Sequence, residues 1–378
     1  MRKRAAASVV FALGLVAGGV PAAYGADEMC GGRRVTIVGT EKSDRISGTR
    51  FADVIAGLGG TDVIKGLAGH DYVCGGSGDD KIAVANGDDR VWGEGGNDTM
   101  QGGRGDDRLD GGGDADTASY KESDTPVDAN LTIRSAIGEG ADALVDVERL
   151  IGSDHSDTLT GDDGRNSITG LGGPDRIEGM GGPDIQKSGV GDDRIHGGDG
   201  PDSHYGGPGD DFMDGGDGSD TPSFKFSPEP VVVDLTEGTA EGEGSDTFIN
   251  MEIVAGSRHG DTFTGDDTAN TFYPLGGDDQ VDGRGGFDFA VYVQSPAAVI
   301  VDLLDGIASG GEGNDSLTSI EGAVGSAFAD EMLGDDGDNA LYGVGGDDEL
   351  DGRGGSDFLS GGPDTDTCTN GEELDGCE

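Results

Sequence analysis

From Gly39 onward an apolar side chain returns at every ninth residue: Ile46, Ile55, Ile64, Val73, Ile82, Val91, Met100 and Leu109. That period belongs neither to an amphipathic helix nor to an alternating strand. An aspartate stands two places before each of these residues, and the stretch leading to it is rich in glycine and turn formers. The pattern predicts a tight turn followed by a very short strand whose central side chain points inward. If two units make one coil, residues eighteen apart stack on one face. The eighth-position side chains of opposite strands then meet inside a thin, all-β, parallel solenoid.

Nine consecutive units run from Gly39 to Ser119, eight from Gly152 to Ser223, four from Gly256 to Val291 and five from Gly325 to Thr369. Three inserts of about thirty residues, beginning at Tyr120, Phe224 and Tyr292, separate these blocks and are copies of one another. Each carries a strand-like run ("VDANL" at Val127, "VVVDL" at Val231, "VIVDL" at Val299), a Gly-rich turn and a final Glu148, Glu252 or Glu321. The expected organisation is a leader at 1–25, a first block at 26–119, inserts at 120–151, 224–255 and 292–324, further blocks at 152–223 and 256–291, and a closing block at 325–378. Insert spacing differs by whole units, as a stack of coils requires.

Composition narrows the function. Of 378 residues 77 are glycine and about 5% aromatic, too little for an ordinary close-packed core. A net charge of -52 opposes compaction unless cations neutralise it, and it argues against a nucleic-acid partner. The N-terminus has a basic start, an apolar run from Ala5 to Val20 and small residues Ala23 and Gly25, which together predict a cleaved secretory signal. A membrane anchor is the weaker reading of that run, because it is short and interrupted by glycine, and no other segment could span a bilayer. The expectation is a secreted, extracellular protein. Four cysteines in an exported chain favour two disulfides over a thiolate metal site, and sequence proximity pairs Cys30 with Cys74 and Cys368 with Cys377.

The sixth position carries the candidate chemistry. It is Asp44, Asp53, Asp62, Asp71, Asp80, Asp89, Asp98, Asp107 and Asp116 in the first block, and Asp157, Asp175, Asp184, Asp193, Asp202, Asp211 and Asp220 in the second. Asp261, Asp279 and Asp288 follow in the third, and Asp330, Asp348, Asp357 and Asp366 in the fourth. Asn166, Asn270 and Asn339 are the exceptions, each in the second unit after an insert. Stacked about 4.8 Å apart, such carboxylates need a bridging ion. Calcium fits best, since it accepts six to eight carboxylate and carbonyl oxygens at about 2.3 to 2.6 Å in flexible geometry. Magnesium demands stricter octahedral geometry, and nothing here offers the paired Cys or His that zinc or copper prefers.

Units such as "GGSGDDKIA" at Gly75, "GGRGDDRLD" at Gly102 and "GGPGDDFMD" at Gly206 resemble the RTX, or haemolysin-type, calcium-binding repeat GGxGxDxUx. The resemblance implies a right-handed parallel β-roll, or β-helix, solenoid binding multiple Ca²⁺ ions. It also implies carboxylate ligands at Asp80, Asp107, Asp202 and Asp211, with weaker sites at the Asn units. RTX proteins commonly carry their repeats behind a catalytic or pore-forming domain. None is expected in this chain, which weakens a toxin reading.

No HExxH, GxSxG or GxGxxG motif occurs, and the paired aspartates fall at turn positions. One row departs from the pattern: Ile168, Gln186, His204 and Pro222, eighteen apart, turn polar along one sheet. It reads either as a frayed, poorly paired edge or as a partner- or carbohydrate-binding face. The expected function is a non-enzymatic matrix, adhesion or cell-surface component. The alternative is a calcium-dependent enzyme acting on an extracellular polysaccharide, or its carbohydrate-binding module, with a non-turn carboxylate such as Glu252 as a catalytic candidate.

Overall fold

In a computed structural model that describes residues 28–311 and 313–377, every regular element is a β-strand. The expected leader lies outside the described residues. Each coil takes two nonapeptides. On one face Ile46, Ile64, Ile82 and Met100 pair in parallel register, and on the other Ile55, Val73, Val91 and Leu109 do the same. The eighth-position side chains of both ladders point inward and are almost wholly buried. One apolar residue per strand suffices because the two sheets are a single side chain apart.

The inserts are built into the stack. In the first, strands Asp128–Asn130, Ser135–Ile137 and Ala141–Val145 form an antiparallel leaf. Its last strand pairs in parallel with Arg108–Gly113 and its first with Thr158–Thr160. On the opposite face Thr117–Ser119 pairs directly with Arg149–Ile151. One face therefore holds three strands where a plain coil holds one. The second and third inserts repeat the antiparallel leaf and its parallel pairings on this face.

The plain face is divided into a ten-stranded and a seven-stranded sheet, and the break falls between Thr221–Pro222 and Ile253–Ala255. Pro222 stands where Ala118 stands in the first block, and it has no N–H to donate to the following coil.

Both expected disulfides are present, with Cα–Cα distances of 5.7 Å for Cys30–Cys74 and 5.6 Å for Cys368–Cys377. Cys74 lies on the outer face, beside Tyr72 and Trp92. There it anchors a hairpin of Met29–Cys30 and Arg33–Arg34 across the first coils. Cys377 ties the chain end to the last coil, whose final strand Glu373–Asp375 pairs with Phe358–Ser360.

The polar row is neither a frayed edge nor an exposed face. Gln186 and His204 are fully buried and hold regular parallel register with each other. They fall where the apolar core divides into two clusters, one from Ile46 to Ile177 and one from Ile195 to Leu359.

Candidate metal centre

Every sixth-position aspartate except Asp44 is buried at a coil edge. One carboxylate oxygen is committed to the backbone. Asp62 Oδ1 accepts the Asp44 amide at 2.7 Å, Asp80 Oδ1 accepts that of Asp62 at 2.7 Å, and the ladder continues in steps of eighteen along both edges. The remaining oxygen divides the residues into two classes.

In eighteen aspartates Oδ2 is buried with no hydrogen-bond partner: Asp62, Asp71, Asp80, Asp89, Asp98, Asp107, Asp116, Asp175, Asp184, Asp193, Asp202, Asp211, Asp220, Asp279, Asp288, Asp348, Asp357 and Asp366. In all of these units the second residue has a left-handed backbone, as at Gly76 (φ 113), Gly103 (φ 89) and even Leu58 (φ 81) and Glu94 (φ 76). That conformation turns the second amide away from the carboxylate. Holding a leucine or glutamate there costs about 1 to 2 kcal/mol, a strain that is informative where it recurs at one position.

In the other class the second residue is Thr40, Thr49, Ser153, Ser257 or Ser326, none of them left-handed. Its amide and hydroxyl close on the carboxylate four residues later. Thr40 reaches Asp44 at 2.6 and 2.8 Å, Thr49 reaches Asp53 at 2.6 and 2.9 Å, and the serine hydroxyls reach Asp157, Asp261 and Asp330 at 2.8 to 2.9 Å. These five aspartates are satisfied without an ion.

The three Asn units are closed in the same way. Asp162, Asp266 and Asp335 donate their amides to Asn166, Asn270 and Asn339 at 2.7 to 2.9 Å. Asn166 and Asn339 also donate Nδ2 to the carbonyls of Glu148 and Glu321, at 3.3 Å in both cases. Each Asn thus stacks one coil above the final Glu of an insert.

The ladder crosses the inserts through residues that lie outside the strict period. Asp142, Asp246 and Asp315 accept the amides of Asp107, Asp211 and Asp279 at 3.0, 3.0 and 3.1 Å. Glu148, Glu252 and Glu321 accept those of Asp116, Asp220 and Asp288 at 2.9 to 3.1 Å, and Glu372 caps the last coil on Asp357 at 2.7 Å. A signal existed in "ADALV", "SDTFI" and "NDSLT", each a D-x-U fragment of the repeat displaced by insert length. Glu252, the non-turn carboxylate of the catalytic alternative, is a member of this ladder. Tyr120 and Tyr292 donate their hydroxyls to Asp142 and Asp315 at 3.1 and 2.9 Å, which satisfies the second oxygen there.

Burial, reinforced by like charges on neighbouring coils, lifts Asp98, Asp175 and Asp184 to about 7, and Asp211 and Asp279 to about 8. The unpartnered oxygens also converge with carbonyls. A Cβ on Gly57 would stand 2.3 Å from both Asp62 Oδ2 and the Gly75 carbonyl, and one on Gly93 would stand 2.2 Å from Asp98 Oδ2 and 2.6 Å from the Gly111 carbonyl. Such an all-oxygen, anionic, partly desolvated cradle fits a hard divalent cation.

A family model of RTX calcium-binding nonapeptide repeats, in four copies, matches residues 47–82, 85–118, 151–185, 188–222, 256–290 and 324–368, more than half of the chain. The protein belongs to the RTX calcium-binding repeat family. The gaps between matched segments include all three antiparallel leaves of this RTX chain. No curated protein matches it.

Proposed function

We propose that this RTX protein is a secreted, non-enzymatic calcium-binding solenoid that folds on binding several Ca²⁺ ions and serves as a matrix, adhesion or cell-surface component. The observation that carries the reading is the set of eighteen buried, unpartnered Oδ2 atoms, since a buried charged acceptor without a partner is strongly unfavourable unless a cation meets it. The two disulfides suit an oxidising compartment. Calcium would be held by the eighteen open aspartates and neighbouring turn carbonyls, with the five hydroxyl-capped aspartates contributing little. The test is a calcium titration followed by far-UV circular dichroism and calorimetric stoichiometry. Chelator should abolish most of the β signal and millimolar calcium should restore it. Identical spectra in the two conditions would sink the proposal.

A groove of about 740 Å³ favours a second reading, binding of an anionic polysaccharide. It is lined by Lys225, Arg258, Gln294 and the exposed ring of Phe226. Lys187 and Lys225 hold their ammonium groups 5.0 to 5.5 Å from the Tyr205 and Phe226 ring centroids. On a chain of net charge -52, a cationic and aromatic surface of this kind suits a uronate-type glycan rather than a protein cation. Retention of the calcium-loaded protein on a polyuronate resin, lost in Lys225→Ala with Arg258→Ala, would support it. Equal retention of the double variant would count against it.

A further inference from the structure

Gln186 and His204 are the buried groups that the calcium ladder leaves unexplained. His204 is 0% exposed, and neither Nδ1 nor Nε2 has a hydrogen-bond partner. An imidazole placed so deep, with two idle nitrogens, has lost its water without compensation. It lies beside the carboxylate edge: a ring nitrogen of His204 and one carboxylate oxygen each from Asp202 and Asp220 are all within 4.8 Å of one another. Both carboxylates contribute a buried, unpartnered Oδ2.

The backbone leaves room at this point. A Cβ on Gly197 would stand 2.3 Å from Asp202 Oδ2, 2.3 Å from the Gly215 carbonyl and 3.0 Å from His204 Cε1, so the ring borders the same cradle as the oxygens. On the same face an apolar side chain such as Ile82, Met100, Leu150 or Ile168 fills the corresponding place in most other coils. One coil away, Gln186 pairs in register with His204; its Nε2 donates to the His196 carbonyl at 2.9 Å, while its Oε1 is buried and unpartnered.

We infer that His204, Asp202 and Asp220 form a site for a borderline transition metal of the Zn²⁺ or Co²⁺ class, set into the inner wall of an otherwise calcium-selective ladder. The inference rests on the calcium reading for the fold and for two shared carboxylates, but the nitrogen donor changes the selectivity. Imidazole suits Zn²⁺, Co²⁺, Ni²⁺ or Cu²⁺, whereas Ca²⁺ takes oxygen ligands almost exclusively. Three protein donors leave further positions for the Gly215 carbonyl or water, the arrangement of an open site.

The test uses the full chain in saturating calcium, with Co²⁺ added and its visible d–d absorption followed. One equivalent should bind and be displaced by Zn²⁺. His204→Ile places at this position the residue found two rungs away, at Ile168, and should weaken that equivalent at least tenfold without changing the far-UV spectrum. Should it misfold, Asp202→Asn keeps side-chain size and should weaken Co²⁺ similarly. Equal Co²⁺ affinity in the folded variant and the parent, or no Co²⁺ uptake by the calcium-folded parent, would overturn the inference. Calcium folding is read separately by circular dichroism. A chain that folds with calcium and ignores cobalt therefore defeats this site alone, and one that takes cobalt at His204 without responding to calcium defeats the calcium reading alone.

Discussion

The interior of a block and its junction with an insert share a strand, a register and a sixth-position carbonyl-side acid, yet they solve the same electrostatic problem by opposite means. At Asp98 or Asp107 the second residue of the unit is left-handed, its amide points away and one carboxylate oxygen is orphaned. At Asp157, Asp261 and Asp330 a serine closes over the acid, and at Asn166, Asn270 and Asn339 the charge is removed altogether. A hydroxyl or a neutral amide thus replaces an ion in the two units that follow each antiparallel leaf, whereas the units that enter it, such as Asp107 and Asp116, stay open. One backbone dihedral separates an ion-requiring turn from an ion-independent one.

Chelation should produce the largest effect and the clearest test of this division. Hydrogen exchange should show loss of protection first and most completely in the block interiors, residues 57–116 and 170–220, with the turns at Thr40, Ser153, Ser257 and Ser326 losing least. Uniform loss along the chain would break the comparison.

Next comes pH. The folded-state values of open aspartates such as Asp98, Asp211 and Asp279 lie well above the ordinary 3.8, chiefly through burial, so the calcium-free fold holds protons that the unfolded chain releases. Its stability is fullest below about 4 and falls as pH rises through about 8. In chelator the protein should hold more β structure at pH 5 than at pH 8.5. Calcium affinity should rise over the same window, because the ligands must be deprotonated. More apo structure at the higher pH would contradict the buried, ion-requiring assignment.

Gly103→Ser should convert one turn class into the other. A Cβ there would meet the Ala85 carbonyl at 2.1 Å in the present conformation, so the turn must flip and bring the serine onto Asp107. Calorimetry should count fewer calcium ions while circular dichroism in calcium stays nearly unchanged. An unchanged ion count would show that the second residue does not set the class. The smallest effect is expected at the seam of the plain face. Pro222→Ala restores an N–H at the break between the two sheets and should stabilise the calcium-bound fold by about 0.5 to 1.5 kcal/mol, measured by denaturant unfolding.

Much of this was legible in the chain itself. A nine-residue period carried without slip through each block dictates two-unit coils, inward eighth positions, outward turns and edges lined with acid, because stacking at eighteen residues permits no other register. The division into open and closed turns was written there too, as Ser, Thr or Asp at the second position of the closed units against other residues, most often Gly or Leu, in the open ones. It could be recognised only once the dihedral and the orphaned oxygen were seen together. The tertiary structure alone decided what happens across the inserts. Asp107 finds Asp142 thirty-five residues on, and Asp116 finds Glu148 after thirty-two, because a three-stranded leaf takes up the intervening chain on one face while the other face closes directly. It also decided that Gln186 and His204 lie inside rather than at an edge. Spacing places a side chain on a strand, but only the closure of the opposite sheet determines that water is excluded from it.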